Sequence, residues 1–285
     1  MTAQILDGKS LASRVKMSLK EEIEQRQSMG LTTPGLAVIL VGNDSASEVY
    51  VAAKRKACAE VGMNSFAYDL PVHTDENTLL QLIDFLNKDE NTHGILVQLP
   101  LPKHINESVI IEAISPLKDV DGFHPYNIGR LTQRAPLLRP CTPVGIIELL
   151  KSYDIPLRSK DTLVIGASNI VGRPMALEFL LSAATVTIAH RFTRNLEKHV
   201  RNAEIIVVAT GKMGVLDINW LAGHQIIVDV GIHRLENGRI CGDVDFEKAV
   251  EKVAWITPVP GGVGPMTIAM LLQNTLNAAR YLTGY

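Results

Sequence analysis

The chain has 285 residues, 46% of them hydrophobic and 20% charged, with a formal net charge of -2. That suits one large or two modest domains and gives no reason to expect nucleic acid or an anionic membrane as partner. No apolar run nears the roughly 18 residues that span a bilayer, and Met1–Asp7 has neither the basic flank nor the apolar region of a signal peptide, so a cytoplasmic location is expected.

Elements follow from periodicity. Leu11, Val15, Leu19 and Ile23 recur at four-residue spacing and predict an amphipathic helix over 9–27. Leu36–Gly42 reads as a buried strand ending in glycine. Ser45-Ala-Ser-Glu48 then offers a capping box for a helix reaching to about Gly62, with Ser45 as the cap. A strand near Phe66–Leu70, a helix near Glu76–Asn87 and a strand at Gly94–Leu99 come next. Between Pro116 and Pro143 there are five prolines and little periodicity, which reads as a domain junction bearing functional loops. Strand candidates at 162–166, 185–190, 204–210 and 225–230 are separated by helical stretches, the layout of a parallel sheet with right-handed crossovers. Asn237-Gly238 marks a hairpin, residues 257–265 are too rich in proline and glycine for regular structure, and a helix from Met266 to about Tyr281 closes the pattern. Cys58, Cys141 and Cys241 are odd in number, far apart and without Cys-x-x-Cys spacing, so they read as reduced thiols rather than disulfides or a zinc site.

Residues 162–174 carry the most chemistry. A short apolar run breaks at Gly166, Gly172 follows six residues later, and Pro174 opens a helix. Strand, glycine turn and helix N-terminus can hold a dinucleotide pyrophosphate on free N–H groups. Ser168 stands where the usual fingerprint has its middle glycine, so the residues leave two readings open: a variant cofactor loop with Gly166, Ala167, Ser168 and Gly172, or an ordinary turn. NAD-binding units place an acid at the end of the second strand, about 20 residues on. Here that strand runs into Arg191 and Arg194, whose guanidinium groups suit a 2′-phosphate and favour NADP, against the plainer reading of solvated loop arginines. Ile232, beyond the fourth strand, is a candidate nicotinamide contact with Ala209–Gly211 beside it.

In the N-terminal half, Tyr50 and Lys54 share a helix face, while Lys56 falls on another. They offer an acid–base pair, or simply a lysine lying along a tyrosine. Gln98 presents an amide at a strand end, and Asp119 and Asp121 flank Val120 in a loop where aspartates commonly cap turns. Gly8-Lys-Ser10 lacks the preceding strand and first glycine of a phosphate loop. No nucleophile elbow and no His-Glu-x-x-His metal motif is present.

Five ordered motifs span nearly the whole chain: Ser47–Lys56, Val97–Pro102, Lys118–Phe123, Gly166–Pro174 and Pro258–Thr267. Together they resemble the bifunctional methylenetetrahydrofolate dehydrogenase/cyclohydrolase family, in which Ser168 is itself the family's form. The resemblance implies an α/β fold of two domains, with a cleft between them for the folate. A catalytic domain would be formed by both termini (1–139 plus 266–285), and a Rossmann-type NADP-binding domain by 140–265. It implies Lys54 as the central catalytic residue, assisted by Tyr50 and Gln98, with Asp121 on the pterin and Pro260, Gly261 and Gly262 also at the substrate. The partners implied are tetrahydrofolate derivatives and a second copy, pairing through the cofactor domains.

The implied reaction moves hydride from the methylene carbon between N5 and N10 to NADP, after which water attacks the methenyl cation. A non-catalytic NADP-binding sensor and a shikimate-type dehydrogenase are the alternatives. Intact catalytic side chains argue against the first, and the second is not expected to combine Tyr50 and Lys54 with Lys118–Gly122 and Pro258–Thr267.

Overall fold

The computed structural model describes residues 2–284, apart from the side chains of residues 45 and 46. In chain order the elements are β1 (Gln4–Ile5), α1 (Gly8–Ser28), β2 (Gly35–Val41), α2 (Ser45–Glu60), β3 (Asn64–Leu70), α3 (Glu76–Lys88) and β4 (Gly94–Val97). Then follow α4 (Glu107–Ala113), α5 (Pro125–Thr132), α6 (Cys141–Ser152), β5 (Asp161–Ile165), α7 (Gly172–Leu181), β6 (Thr185–Ala189) and α8 (Leu196–Asn202). The last are β7 (Ile205–Val208), β8 (Ile226–Asp229), β9 (His233–Arg234), β10 (Ile240–Cys241), α9 (Phe246–Ala249), β11 (Trp255–Ile256) and α10 (Val263–Thr283).

They form two compact units, one of residues 1–12 with 142–267 and one of 13–141 with 268–285. The expected division kept 1–139 together, and the difference lies at the N-terminus. Gln4 and Ile5 pair in parallel with Trp255 and Ile256, so β1 joins the sheet of the later unit. A two-residue strand whose partner lies some 250 positions away has no local signature.

The larger sheet is parallel throughout, in the order β1-β11-β8-β7-β5-β6. Strand order reverses at β5, with β6 on one side and β7 on the other, which makes their carboxyl ends the natural ligand crevice of a doubly wound sheet. Its core gathers Leu163, Ile165, Ile206, Val208 and Ile227 with Val200 and Ala249. The smaller sheet has the order β3-β2-β4, also parallel. Every residue of its central strand β2 is buried, as the unbroken run Leu36–Val41 requires. Leu79, Ile83 and Leu86 on α3 pack on Ala37, Ile39 and Ile95, each buried leucine or isoleucine contributing about 1.5–3 kcal/mol.

Three local expectations change. Asp44 is the cap of α2, its carboxylate accepting the Ser47 N–H at 2.8 Å; the side chain of Ser45, expected in that role, lies outside the described residues. The proline-rich junction contains α5, because Pro125 sits in its first turn, where no N–H is needed. And α10 begins at Val263, three residues before the expected Met266. The hairpin at Asn237-Gly238 joins β9 and β10 with Gly238 at φ 79°.

His93 anchors the start of β2. Its Nδ1 accepts the Gly35 N–H at 3.1 Å, while its buried Nε2 has no hydrogen-bond partner among the described residues. Burial, with the charges of Lys118 and Arg26, pushes its pKa below the usual histidine range. The unfolded chain therefore takes up this proton first, and stability held above pH ~6.5 is lost as the pH falls below it. Lowering the pH from 7.5 to 5.5 is expected to remove up to about 1 kcal/mol through this group, read as a lower urea midpoint. His93→Asn, which keeps an acceptor but does not titrate, should flatten that dependence.

Candidate active site

In the unit of 13–141 and 268–285, α2 carries Tyr50 and Lys54 on one face. Lys54 is 8% exposed and Lys56, off that face, is exposed. Lys54 Nζ donates to Gln98 Oε1 at 3.0 Å. Gln98 is fixed from both ends: its N–H donates to Ile39 O at 2.9 Å, and its Nε2 donates to Leu99 O at 2.7 Å, which turns Oε1 toward the lysine. Tyr50 is half-buried, and desolvation pushes its phenol above the usual range.

The two aspartates of the 118–123 loop separate cleanly. Ile95 N–H donates to Lys118 O at 2.7 Å, which lays the loop along β4. Lys118 is spent on structure, its Nζ donating to Leu86 O and Asp89 O. Asp119 caps the following turn by accepting from Phe123 N, His124 N and Asn127 Nδ2. Asp121 has no protein hydrogen bond to its carboxylate among the described residues. Burial raises its pKa, the charge of Lys54 draws it back down, and Asp119 opposes that. A desolvated carboxyl left without a donor beside an ammonium is available to a ligand.

The peptide frame around Asp121 is tied down separately. Asn274 on α10 donates to Val120 O and Arg139 O, each at 2.8 Å, and Cys141 N donates to Asp121 O at 3.4 Å. Gly122, at φ 77°, has the Arg139–Pro140 backbone 2.5 Å from where a Cβ would sit. Sequence reasoning missed Asn274, because its partners lie 135 and 154 positions away.

In the other unit, β5 ends at Gly166, whose φ of 125° excludes ordinary side chains and whose Cβ would meet Ala209 O at 2.2 Å. Gly172 opens α7 so close to the turn that a Cβ would lie 2.1 Å from Gly166 O. Ser168 Oγ accepts from Val171 N at 3.1 Å and Gly172 N at 3.3 Å, so the serine closes the turn that a middle glycine would otherwise make. The N–H groups of Ala167, Ser168, Asn169 and Ile170 have no acceptor among the described residues. This is a fitting cradle for a pyrophosphate.

After β6, the segment from His190 to Thr193 closes on itself through Thr193 N–H to His190 O (2.8 Å) and His190 N–H to Thr193 Oγ1 (2.8 Å). Arg191 lies over the Phe192 ring at 4.7 Å. Arg191 and Arg194 are exposed, and neither pairs with a carboxylate among the described residues. Ile232 follows β8 and is 46% exposed. Pro260, Gly261 and Gly262 lie in this same unit, on a loop held by Lys9 N–H to Gly261 O at 2.9 Å. Tyr50 and Asp121, expected at the substrate as well, belong to the unit of 13–141 and 268–285.

A doubly wound parallel sheet with a glycine cradle and two exposed arginines at its second strand end, in one chain with a part-buried Lys–Gln pair on an α/β unit, is the arrangement of a two-domain nicotinamide-dependent oxidoreductase. Comparison with known proteins narrows the class. Residues 6–121 match the tetrahydrofolate dehydrogenase/cyclohydrolase catalytic domain, and residues 140–283 match the NAD(P)-binding domain of the same family. The chain belongs to the tetrahydrofolate dehydrogenase/cyclohydrolase family. It is 58% identical to the bifunctional protein FolD of Legionella pneumophila (strain Paris), over 99% of each chain. The bifunctional FolD enzyme of Campylobacter jejuni is 51% identical and superposes with a TM-score of 0.95 over 98% of this chain and 99% of that one. The Trypanosoma brucei enzyme, solved with NADP and an inhibitor, is 35% identical with a TM-score of 0.95 over 100% of both. A shikimate 5-dehydrogenase from Thermus thermophilus, 18% identical with a TM-score of 0.56 over 88% of this chain and 94% of that one, shares the fold alone.

Gly172→Ala should force the turn open. Overpacking against backbone is expected to lower stability by about 1–3 kcal/mol in urea unfolding and to weaken dinucleotide binding measured by fluorescence titration. Unchanged binding would show that the close approach of α7 to Gly166 does not shape the cradle.

Proposed function

We propose that the chain oxidises 5,10-methylenetetrahydrofolate to the methenyl form with NADP and then hydrolyses it to 10-formyltetrahydrofolate, as a step of one-carbon metabolism. The observation that carries the assignment of roles is the part-buried Lys54–Gln98 bond, with Asp121, whose carboxylate has no hydrogen-bond partner among the described residues, feeling the charge of Lys54. NADP, when bound, supplies the hydride acceptor. Gly166, Ala167, Ser168 and Gly172 hold its pyrophosphate, Arg191 and Arg194 its 2′-phosphate, and Ile232 borders the nicotinamide. Asp121 accepts hydrogen bonds from the pterin, and Tyr50 and Pro260–Gly262 supply further substrate contacts.

In the dehydrogenase step the protein mainly orients, since hydride transfer needs donor and acceptor carbons about 3–3.5 Å apart. In the hydrolysis, water adds to the methenyl carbon and releases one proton, and the carbinolamine then forms its C=O as the C–N5 bond breaks, the hydroxyl proton passing to N5. Lys54 handles that proton. An amine donates an N–H whether charged or neutral, so its bond to Gln98 Oε1 persists through the transfer and keeps the nitrogen in place. A general acid–base group of this kind contributes about 10²–10⁴-fold.

The chain acts as a homodimer through its cofactor unit. The support for this is the open edge of the larger sheet: among the described residues β6 pairs with β5 alone, and Ile188 on β6 and Leu180 on α7 are exposed. Among the described residues no helix is long and apolar enough to cross a membrane; we place the enzyme in the cytoplasm.

Lys54→Met should lower methenyltetrahydrofolate hydrolysis by at least ~10²-fold while NADP binding survives. An unchanged rate would remove Lys54 from the proton chemistry. Arg191→Ala is expected to raise the KM for NADP on the order of tenfold, and that for NAD far less, since only the former carries the phosphate. Equal losses would show that Arg191 does not read it.

A further inference from the structure

Beyond the glycine cradle, the carboxyl ends of β7 and β8 are organised by two buried carboxylates that no role described so far uses. Asp243 follows β10, yet it bonds chiefly to residues far back in the chain. One oxygen accepts from Thr210 N at 2.7 Å, Thr210 Oγ1 at 2.7 Å and Gly211 N at 3.0 Å; the other accepts from His233 Nε2 at 2.7 Å. Asp229, the last residue of β8, accepts from Gly231 N, Asp243 N and Val244 N at 3.0, 3.0 and 2.9 Å. The two acids therefore lock the ends of β7 and β8 to the returning strand of the β9–β10 hairpin.

The glycines around them follow from this lock. A Cβ on Gly231 would lie 2.1 Å from Asp243 Oδ1, and one on Gly242 would lie 1.9 Å from Asp229 Oδ2. Both carboxylates are closed in by protein, so neither is a ligand site itself. Each aims backbone at the place where a ligand lies in a doubly wound sheet.

We propose that Asp243 is a positioning residue for the dehydrogenase step: its carboxylate fixes the Thr210–Gly211 backbone and, with Asp229, the Gly231–Ile232 backbone against the nicotinamide half of the cofactor. This rests on the reading that the dinucleotide crosses the carboxyl ends of β5, β7 and β8. Hydride transfer is sensitive to about 1 Å of misplacement, which can cost 10²-fold, whereas hydrolysis of the methenyl cation needs no dinucleotide. The two activities of one protein thereby report on the lock and on the fold separately.

Asp243→Asn in the full chain swaps one acceptor for an amide donor. It should raise the KM for NADP at least tenfold and lower the dehydrogenase kcat, while methenyltetrahydrofolate hydrolysis stays within twofold of the parent. Thr210→Val, which deletes only the hydroxyl donor, should raise the KM for NADP several-fold, and Thr210→Ser should raise it less. Equal loss of both activities in Asp243→Asn, or an unchanged KM for NADP, overturns the proposal. If that variant does not fold, Thr210→Val decides by the same split. Arg191→Ala serves as the companion. If it raises the KM for NADP and Asp243→Asn does not, the positioning role fails while the cofactor reading stands. If neither moves it, the cofactor reading fails as well.

Discussion

A parallel strand releases its last N–H and carbonyl groups at its carboxyl end, and each must find a partner or remain free for a ligand. Most of what is chemically interesting in this chain follows from how those groups are settled. At the ends of β7 and β8 the N–H groups of Thr210, Gly211 and Gly231 are taken up by Asp243 and Asp229, and Asp229 also accepts those of Asp243 and Val244 beyond β10. At the end of β5 those of Ala167 to Ile170 are left open. The same end of the sheet is therefore tied down at β7 and β8 and open at β5. The smaller sheet repeats the theme: Gln98, just beyond β4, is pinned through Ile39 O and Leu99 O, and its remaining oxygen is turned to Lys54.

The distinction between Asp119 and Asp121 shows how much of this a sequence can carry. Two acids flank one valine, and turn-capping is an adequate account of both. Geometry assigns that duty to Asp119, with three donors on its carboxylate, and leaves Asp121 without any. The glycine loop was more legible, because every part of it lies within about a dozen residues: a strand, two glycines, a serine and a helix start. Even so, only the structure explains the serine, whose hydroxyl accepts the two N–H groups at the entrance to α7.

What escaped the sequence has a common cause. Asp243 reaches 33 positions back to Thr210, Asn274 reaches 154 back to Val120, and β1 finds its partner near residue 255. None of these contacts leaves a periodic trace. Helix α5 was hidden differently: prolines at 116, 125, 136, 140 and 143 suggested irregular chain, although a proline in the first helical turn costs nothing. The long amphipathic and buried elements, by contrast, appeared within a few residues of their expected limits, because burial imposes its period on every turn.

The segment from His190 to Thr193 has a consequence for how this protein can change. Its turn is closed by its own backbone and one hydroxyl, and the arginines at 191 and 194 carry no ion pair among the described residues. Substitutions at those two positions therefore cost the fold little, and on the proposed reading they act on cofactor choice, whereas the glycines at 166 and 172 are fixed by neighbouring backbone. On that reading dinucleotide preference is a separable, evolvable trait: a lineage or an engineer can exchange one nicotinamide pool for the other while the glycine turn and the folate chemistry stay as they are.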